Sequence, residues 1–222
     1  MTILSTHPPG AGSPDGDELP GALDPAGGEL PATATPAPDG GAPWPGEQGP
    51  GRGEDRLLRV GATTLRVRRT AWFDGAALTA VLGRMSLRTR WLRFHSPIVR
   101  FSAAQLRALL EADHHDRSVL LAEVEVDPGR WQPVGFAQYA RTGPDHADAA
   151  IVLEDAWQRR GIGRALALQL VSVARAAGIV AFTSEVLTEN RRILAFVRAL
   201  APRVEGRLLG VTTELTCWLD AG

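Results

Sequence analysis

The segment WQRRGIGRAL (157–166) sets Gln158, Arg159, Arg160, Gly161, Ile162, Gly163 and Arg164 side by side. A glycine turn that opens a helix leaves several backbone amides unpaired, and no side chain keeps a ligand away from them. The helix dipole and three arginines add positive charge, so a pyrophosphate is a natural guest. No Gly-Lys-Ser/Thr closes the loop, which excludes a P-loop. Residue 166 is leucine where a dinucleotide fingerprint needs its third glycine. Two glycines one residue apart are also compatible with a plain strand-to-helix connection.

Other chemistry-bearing groups carry less. Asp113-His114-His115-Asp116 has metal-ligand types, but neighbours on one loop seldom converge on one ion, and no distant partner motif is evident. No metal is expected. The single cysteine, Cys217, excludes an internal disulfide and a multi-cysteine zinc site, and reads as a small buried hydrophobe.

The elements that must position the loop follow from periodicity. Residues 57–71 alternate as an early strand or hairpin. Asp74 can cap a helix through about Met85, and 84–93 reads as a helix-to-loop segment. Ser102 and Gln105 form a capping-box pattern. Strands are expected at 118–126 and 133–141 around the turn DPGRW, and again at 147–155. Leu166, Leu170, Val173 and Ala177 give the helix after the loop an apolar face, and Gly178 stops it. A strand at 179–187, a helix at 189–200 and a closing hairpin complete an α+β pattern with a mixed, largely antiparallel sheet.

The 222 residues are 44% hydrophobic and 22% charged, with a formal net charge of -1. Residues 1–53 hold 11 of the 16 prolines, 12 of the 24 glycines and seven acids against one base, Arg52. They are expected to form a disordered acidic tail ahead of one domain, 54–222. That domain carries 18 acids and 23 bases, which suits an anionic ligand. Neither a signal peptide nor a membrane span is expected, and the expected location is cytoplasmic. Neither nucleic acid nor membrane is expected as a partner.

Leu153 to Gly163 resembles motif A of the GNAT superfamily of N-acetyltransferases, whose core Gln/Arg-x-x-Gly-x-Gly/Ala is met by Gln158, Gly161 and Gly163. RTRWLRFHSP (88–97), ADHHDRSVLLAEV (112–124) and AAIVLEDAWQRRGIG (149–163) further resemble bacterial protein lysine acetyltransferases, with Trp91 and Ala156 replacing a tyrosine and an aspartate. The resemblance covers nearly all of residues 57–218. It implies the GNAT fold: a mixed, mostly antiparallel sheet flanked by helices, with central strands splayed at a cofactor cleft.

It also implies acetyl-CoA as co-substrate. Val152, Leu153 and Glu154 would pair through their backbone with pantetheine, and Gln158 and the amides of Arg159, Arg160, Gly161, Ile162, Gly163 and Arg164 would hold the pyrophosphate. Asn190 would bond the cofactor, or else simply cap the next helix. Asp148 stands where these relatives carry a glutamate base, and His146, two residues earlier on the same strand face, is a substitute or partner base. Val197 occupies the place of the family's usual acidic tyrosine, while the chain's only tyrosine, Tyr139, lies on another strand. Either solvent would then protonate coenzyme A, or the chain departs from the family in mechanism. The implied activity is direct acetyl transfer to a primary amine, with protein lysine the favoured acceptor, by a monomer or homodimer. A small-molecule amine acetyltransferase and a non-catalytic acyl-CoA sensor are the alternatives.

Overall fold

A computed structural model describes residues 55–96, 98 and 100–219. The expected acidic tail, 1–53, lies outside them. The early alternation folds as a hairpin of β1 (Arg56–Val60) and β2 (Thr63–Arg69). A 3-10 turn leads into α1 (Gly75–Arg84), followed by α2 (Leu87–Phe94) and α3 (Ala103–Leu110). Then come β3 (Arg117–Asp127), β4 (Arg130–Arg141), β5 (His146–Leu153), α4 (Ile162–Ala176), β6 (Ala181–Leu187), α5 (Arg191–Arg198), β7 (Arg203–Leu209) and β8 (Thr212–Trp218). The strands form one sheet ordered β1-β2-β3-β4-β5-β6-β8-β7. Every pair is antiparallel except β5 with β6.

Strand alternation divides the sheet's buried side chains between two cores. One face packs Ala147, Ala149 and Leu153 of β5 against Ile162, Leu166, Leu170 and Ala174, a stripe of every fourth residue along α4. The other packs Val119, Leu121, Phe136 and Val152 against Leu78, Val81, Leu82 and Leu109 of α1 and α3. Among the described residues, no helix is long and apolar enough to cross a membrane.

Two local expectations change. Met85 is extended, so the helix stops there and a second one, α2, starts at Ser86, whose side chain accepts from the Thr89 amide. The stretch that reads as helix-to-loop is therefore a capped helix. Asp74 sits at the N-cap of α1 but makes no side-chain cap bond to it. Its carboxylate accepts instead from both Nη atoms of Arg68, each at 2.7 Å, and from the Ala71 amide. Arg68 Nε also donates to Glu123 at 2.9 Å.

Asp74 is only 3% exposed, so its removal strands a half-buried guanidinium edge. Asp74→Ala should lose about 3 kcal/mol of stability, the scale for breaking a buried ion pair. Urea unfolding of the variant against wild type measures this.

Candidate active site

β5 and β6 run parallel but pair at only three positions, His146 with Ala181, Ala147 with Phe182 and Asp148 with Thr183. Beyond them the strands part. β5 follows β4 instead, in unbroken register to Leu153 opposite Gly135. A Cβ on Gly135 would lie 2.5 Å from the Val152 carbonyl oxygen and 2.7 Å from Leu153 Cδ1, so only glycine lets β5 lie this close. At the vertex the Ser184 hydroxyl donates to the Ala149 carbonyl at 2.9 Å and stands in for the missing strand bond.

Peptide groups alternate in direction along a strand. The Ala147 and Ala149 carbonyls face β6, where they accept from Thr183 and Ser184, whereas the Glu154 amide donates to Val134 on the β4 side. The edge presented to the opening is therefore Ile151 and Leu153. Val152 and Glu154, named from resemblance, turn their main chains toward β4. The Leu153 carbonyl accepts from Gln158 Nε2 at 3.0 Å, so Gln158 folds the loop back onto the strand. The Glu154 carboxylate binds Arg84 at 2.6 Å. Asp155 accepts from the Ser86 amide and from the Ser86 and Thr89 hydroxyls, which fastens the start of α2 to the loop.

Gly161 has a φ of 84° and its added Cβ would lie 2.9 Å from Val60 Cγ1, so conformation and packing both call for glycine. Arg159 also has positive φ. The first ladder bond of α4 runs from the Ala165 amide to the Gly161 carbonyl. Among the described residues, no acceptor meets the amides of 159–164. Arg159, Arg160 and Arg164 are exposed around them, with Arg160 over the Trp157 ring and Arg164 3.4 Å from the Ala199 carbonyl. Open amides, helix dipole and three arginines thus gather positive potential at this loop.

Asp148 shares the strand face of Val152, opposite α4. Its electrostatic neighbours are Arg93 of α2 and Glu185 of β6. Burial pushes its carboxyl up to about 8, with Arg93 opposing and Glu185 adding to the rise. Arg93 is 2% exposed, and its Nε and Nη1 have no hydrogen-bond partner among the described residues. Burial lowers its guanidinium to about 10 against the pull of Asp148. Local sequence gives no signal for this neighbourhood, because it needs α2 to dock.

His146 lies on the same face as Asp148. Its Nδ1 is 2.7 Å from Asp145, and its ring packs edge-on to Trp218. Asn190 is the N-cap of α5, with Oδ1 accepting from the Ile193 amide at 3.3 Å. Tyr139 is 1% exposed, and its hydroxyl donates to the His115 carbonyl. Val197 is buried in α5. Cys217 is buried too, and its thiol is pushed up to about 12, which leaves it no nucleophile at neutral pH. The Asp113–Asp116 turn is tied up locally: Asp113 Oδ1 accepts the amides of His115, Asp116 and Arg117, and Asp116 pairs with Arg141 at 2.7 Å.

Residues 86–201, more than half the chain, match the acetyltransferase (GNAT) family. The chain belongs to that family. Among solved structures, the GNAT domain of S. lividans PAT is similar at 27% identity and a TM-score of 0.65, over 74% of this chain and 96% of that one. Two more distant GNAT-like structures match in fold. The first is yncA, a putative acetyltransferase from Salmonella typhimurium with its cofactor acetyl-CoA, at 16% identity and TM-score 0.52, covering 70% of this chain and 94% of that one. The second is the paia N-acetyltransferase from Thermoplasma acidophilum in complex with coenzyme A, at 16% and 0.52, covering 69% and 98%. Among curated proteins none matches. The splayed β5–β6 pair and the amide loop before α4 are thus features of a GNAT acetyltransferase.

An unfolded aspartate ionises near about 3.9, whereas burial moves Asp148 to about 8 in the fold. Between those values the folded GNAT domain keeps a proton that the unfolded chain has lost. Stability therefore falls as pH rises through this window and levels off above it. Asp148→Asn removes that dependence. Its melting temperature should match wild type near about pH 4 and exceed it increasingly up to about pH 8, as read by calorimetry.

Proposed function

We propose that this enzyme transfers the acetyl group of acetyl-CoA to a primary amine by direct attack, with a protein lysine as favoured acceptor. The observation that carries the proposal is the open β5 edge running between the open amides of 159–164 and the partly buried carboxyl of Asp148 on the opposite sheet face. In this reading the pyrophosphate lies on those amides, among Arg159, Arg160 and Arg164. Pantetheine follows the main chain of Ile151 and Leu153, and Asn190 borders the cleft from α5.

The amine approaches from the α2 side. A lysine-type ammonium is mostly protonated at neutral pH and must lose a proton to become nucleophilic. Asp148, with its carboxyl raised to about 8, is a stronger base than an ordinary carboxylate. Its ionised carboxylate first takes the ammonium's proton; the neutral nitrogen then bonds to the thioester carbon, the carbon–sulfur bond breaks, and the nitrogen sheds its second proton to solvent. The departing thiolate takes its proton from solvent, since Val197 has none to give and the Tyr139 hydroxyl is engaged in the core. His146, on the Asp148 face, stands as partner base. Acceptor preference for protein lysine draws on the likeness to the GNAT domain of S. lividans PAT and on RTRWLRFHSP and AAIVLEDAWQRRGIG.

Gly161→Glu should abolish acetyl-CoA binding through bulk and like charge, with some stability lost at the left-handed turn and the Val60 contact; unaltered affinity by calorimetry would remove the cradle. Asp148→Asn should lower kcat by about 100-fold or more on a good acceptor. In wild type, kcat/KM should rise with pH through a step near about 8, the ionisation of Asp148. That step should vanish in the variant, leaving only the acceptor's own ammonium near about 10. Thiol release with lysine-bearing protein set against small amines tests the acceptor class.

A further inference from the structure

A cavity of about 230 Å³ lies on the α4 side of the sheet, between α4, α5 and the strands β6 and β8. Its walls include Ile151, Leu170, Phe182, Val197, Cys217 and Leu219, and its surface is predominantly apolar. Ser184 lines it as well. Ile151 and Ser184 also belong to the opening between β5 and β6, one as its edge and the other as its closing hydrogen bond. The cavity therefore adjoins the splay. Along α4 it reaches Ala167 and Val171, roughly 9–15 Å of helix beyond the Gly161 start. A pantetheine arm anchored at the amide loop and laid along β5 would thus bring its thioester to the cavity mouth.

The size exceeds what an acetyl methyl requires. An apolar cavity of about 150 Å³ accommodates benzene, a six-carbon ligand. Val197, a short side chain of α5, lines this space.

We infer that the cavity is an acyl-chain pocket, and that the donor site accepts acyl-CoA thioesters with saturated chains longer than acetyl, to about six carbons. The inference rests on the reading that coenzyme A lies in the splay. The chain would leave bulk water for an apolar lining, while its carbonyl stays at the vertex, open to the amine side.

Calorimetric titration of the full chain with coenzyme A, acetyl-CoA, butyryl-CoA and hexanoyl-CoA, without acceptor, tests it directly. Each methylene buried should tighten binding about four-fold, from roughly 0.8 kcal/mol per CH₂. Butyryl-CoA should therefore bind about 16-fold tighter than acetyl-CoA, hexanoyl-CoA tighter again, and the heat-capacity change should grow more negative with chain length. Ala167→Phe, which fills the pocket from α4, should erase the gain for hexanoyl-CoA yet keep acetyl-CoA affinity. Ala201→Phe does the same from beyond α5 should the first variant melt early.

Equal affinity for acetyl- and hexanoyl-CoA would overturn the pocket assignment while leaving the cofactor site intact. So would a chain-length gain that survives both fillings in folded protein. Failure of coenzyme A and all three thioesters to bind would instead overturn the cofactor reading, and the inference with it.

Discussion

The parting of β5 from β6 is the constraint to which the rest of the structure answers. A buried strand ordinarily pairs on both edges, because an unmatched peptide group away from water is costly. Here two parallel strands meet for three residues and then separate, and side chains take over part of what the ladder loses. Ser184 and Thr183 reach the Ala149 and Ala147 carbonyls, and Gln158 reaches that of Leu153. What they leave, the outward main chain of Ile151 and the Leu153 amide, is the edge available to a partner strand or ligand. Gly135 makes the arrangement possible from the other flank, since any side chain there would push β5 off β4.

Each sheet face carries one half of the proposed chemistry. On the α4 side the amide loop and helix dipole gather positive potential at the top of the opening. On the α2 side partly buried Asp148 and buried Arg93 each suppress the other's discharge, the carboxyl raised and the guanidinium lowered by burial. The two sides communicate through Glu154 and Asp155. These join the loop to Arg84, Ser86 and Thr89, so the helix carrying Arg93 is anchored to the turn that leads into the cradle.

Much of this was legible in the residues. The strand–glycine loop–helix unit, the Ser102 capping box, the stop at Gly178 and the mixed sheet all follow from local rules acting on local side chains. Relations set by distant packing were not legible. The cap of α2 at Ser86 is completed by Asp155, 69 residues away. Asp74 looks like a helix cap until Arg68 of β2 competes for its carboxylate. Which of residues 151–154 face the opening depends on register against β4, and a shift of one residue reverses every peptide direction. The burial of Arg93 likewise appears only once α2 is docked over β6.

The sheet order carries a consequence for how the molecule comes to be. β8 lies between β6 and β7, so the last strand in chain order fills a slot between two that precede it. Until it arrives, β6 has only its three-residue pairing with β5 to hold it. During synthesis the amide loop and α4 emerge well before the opposite wall of the cleft has a neighbour to lean on. Pairings between sequence-distant segments form late and slowly. The two jaws of the cleft therefore mature at different times, and the nascent chain can present a finished grip before it has a finished cleft.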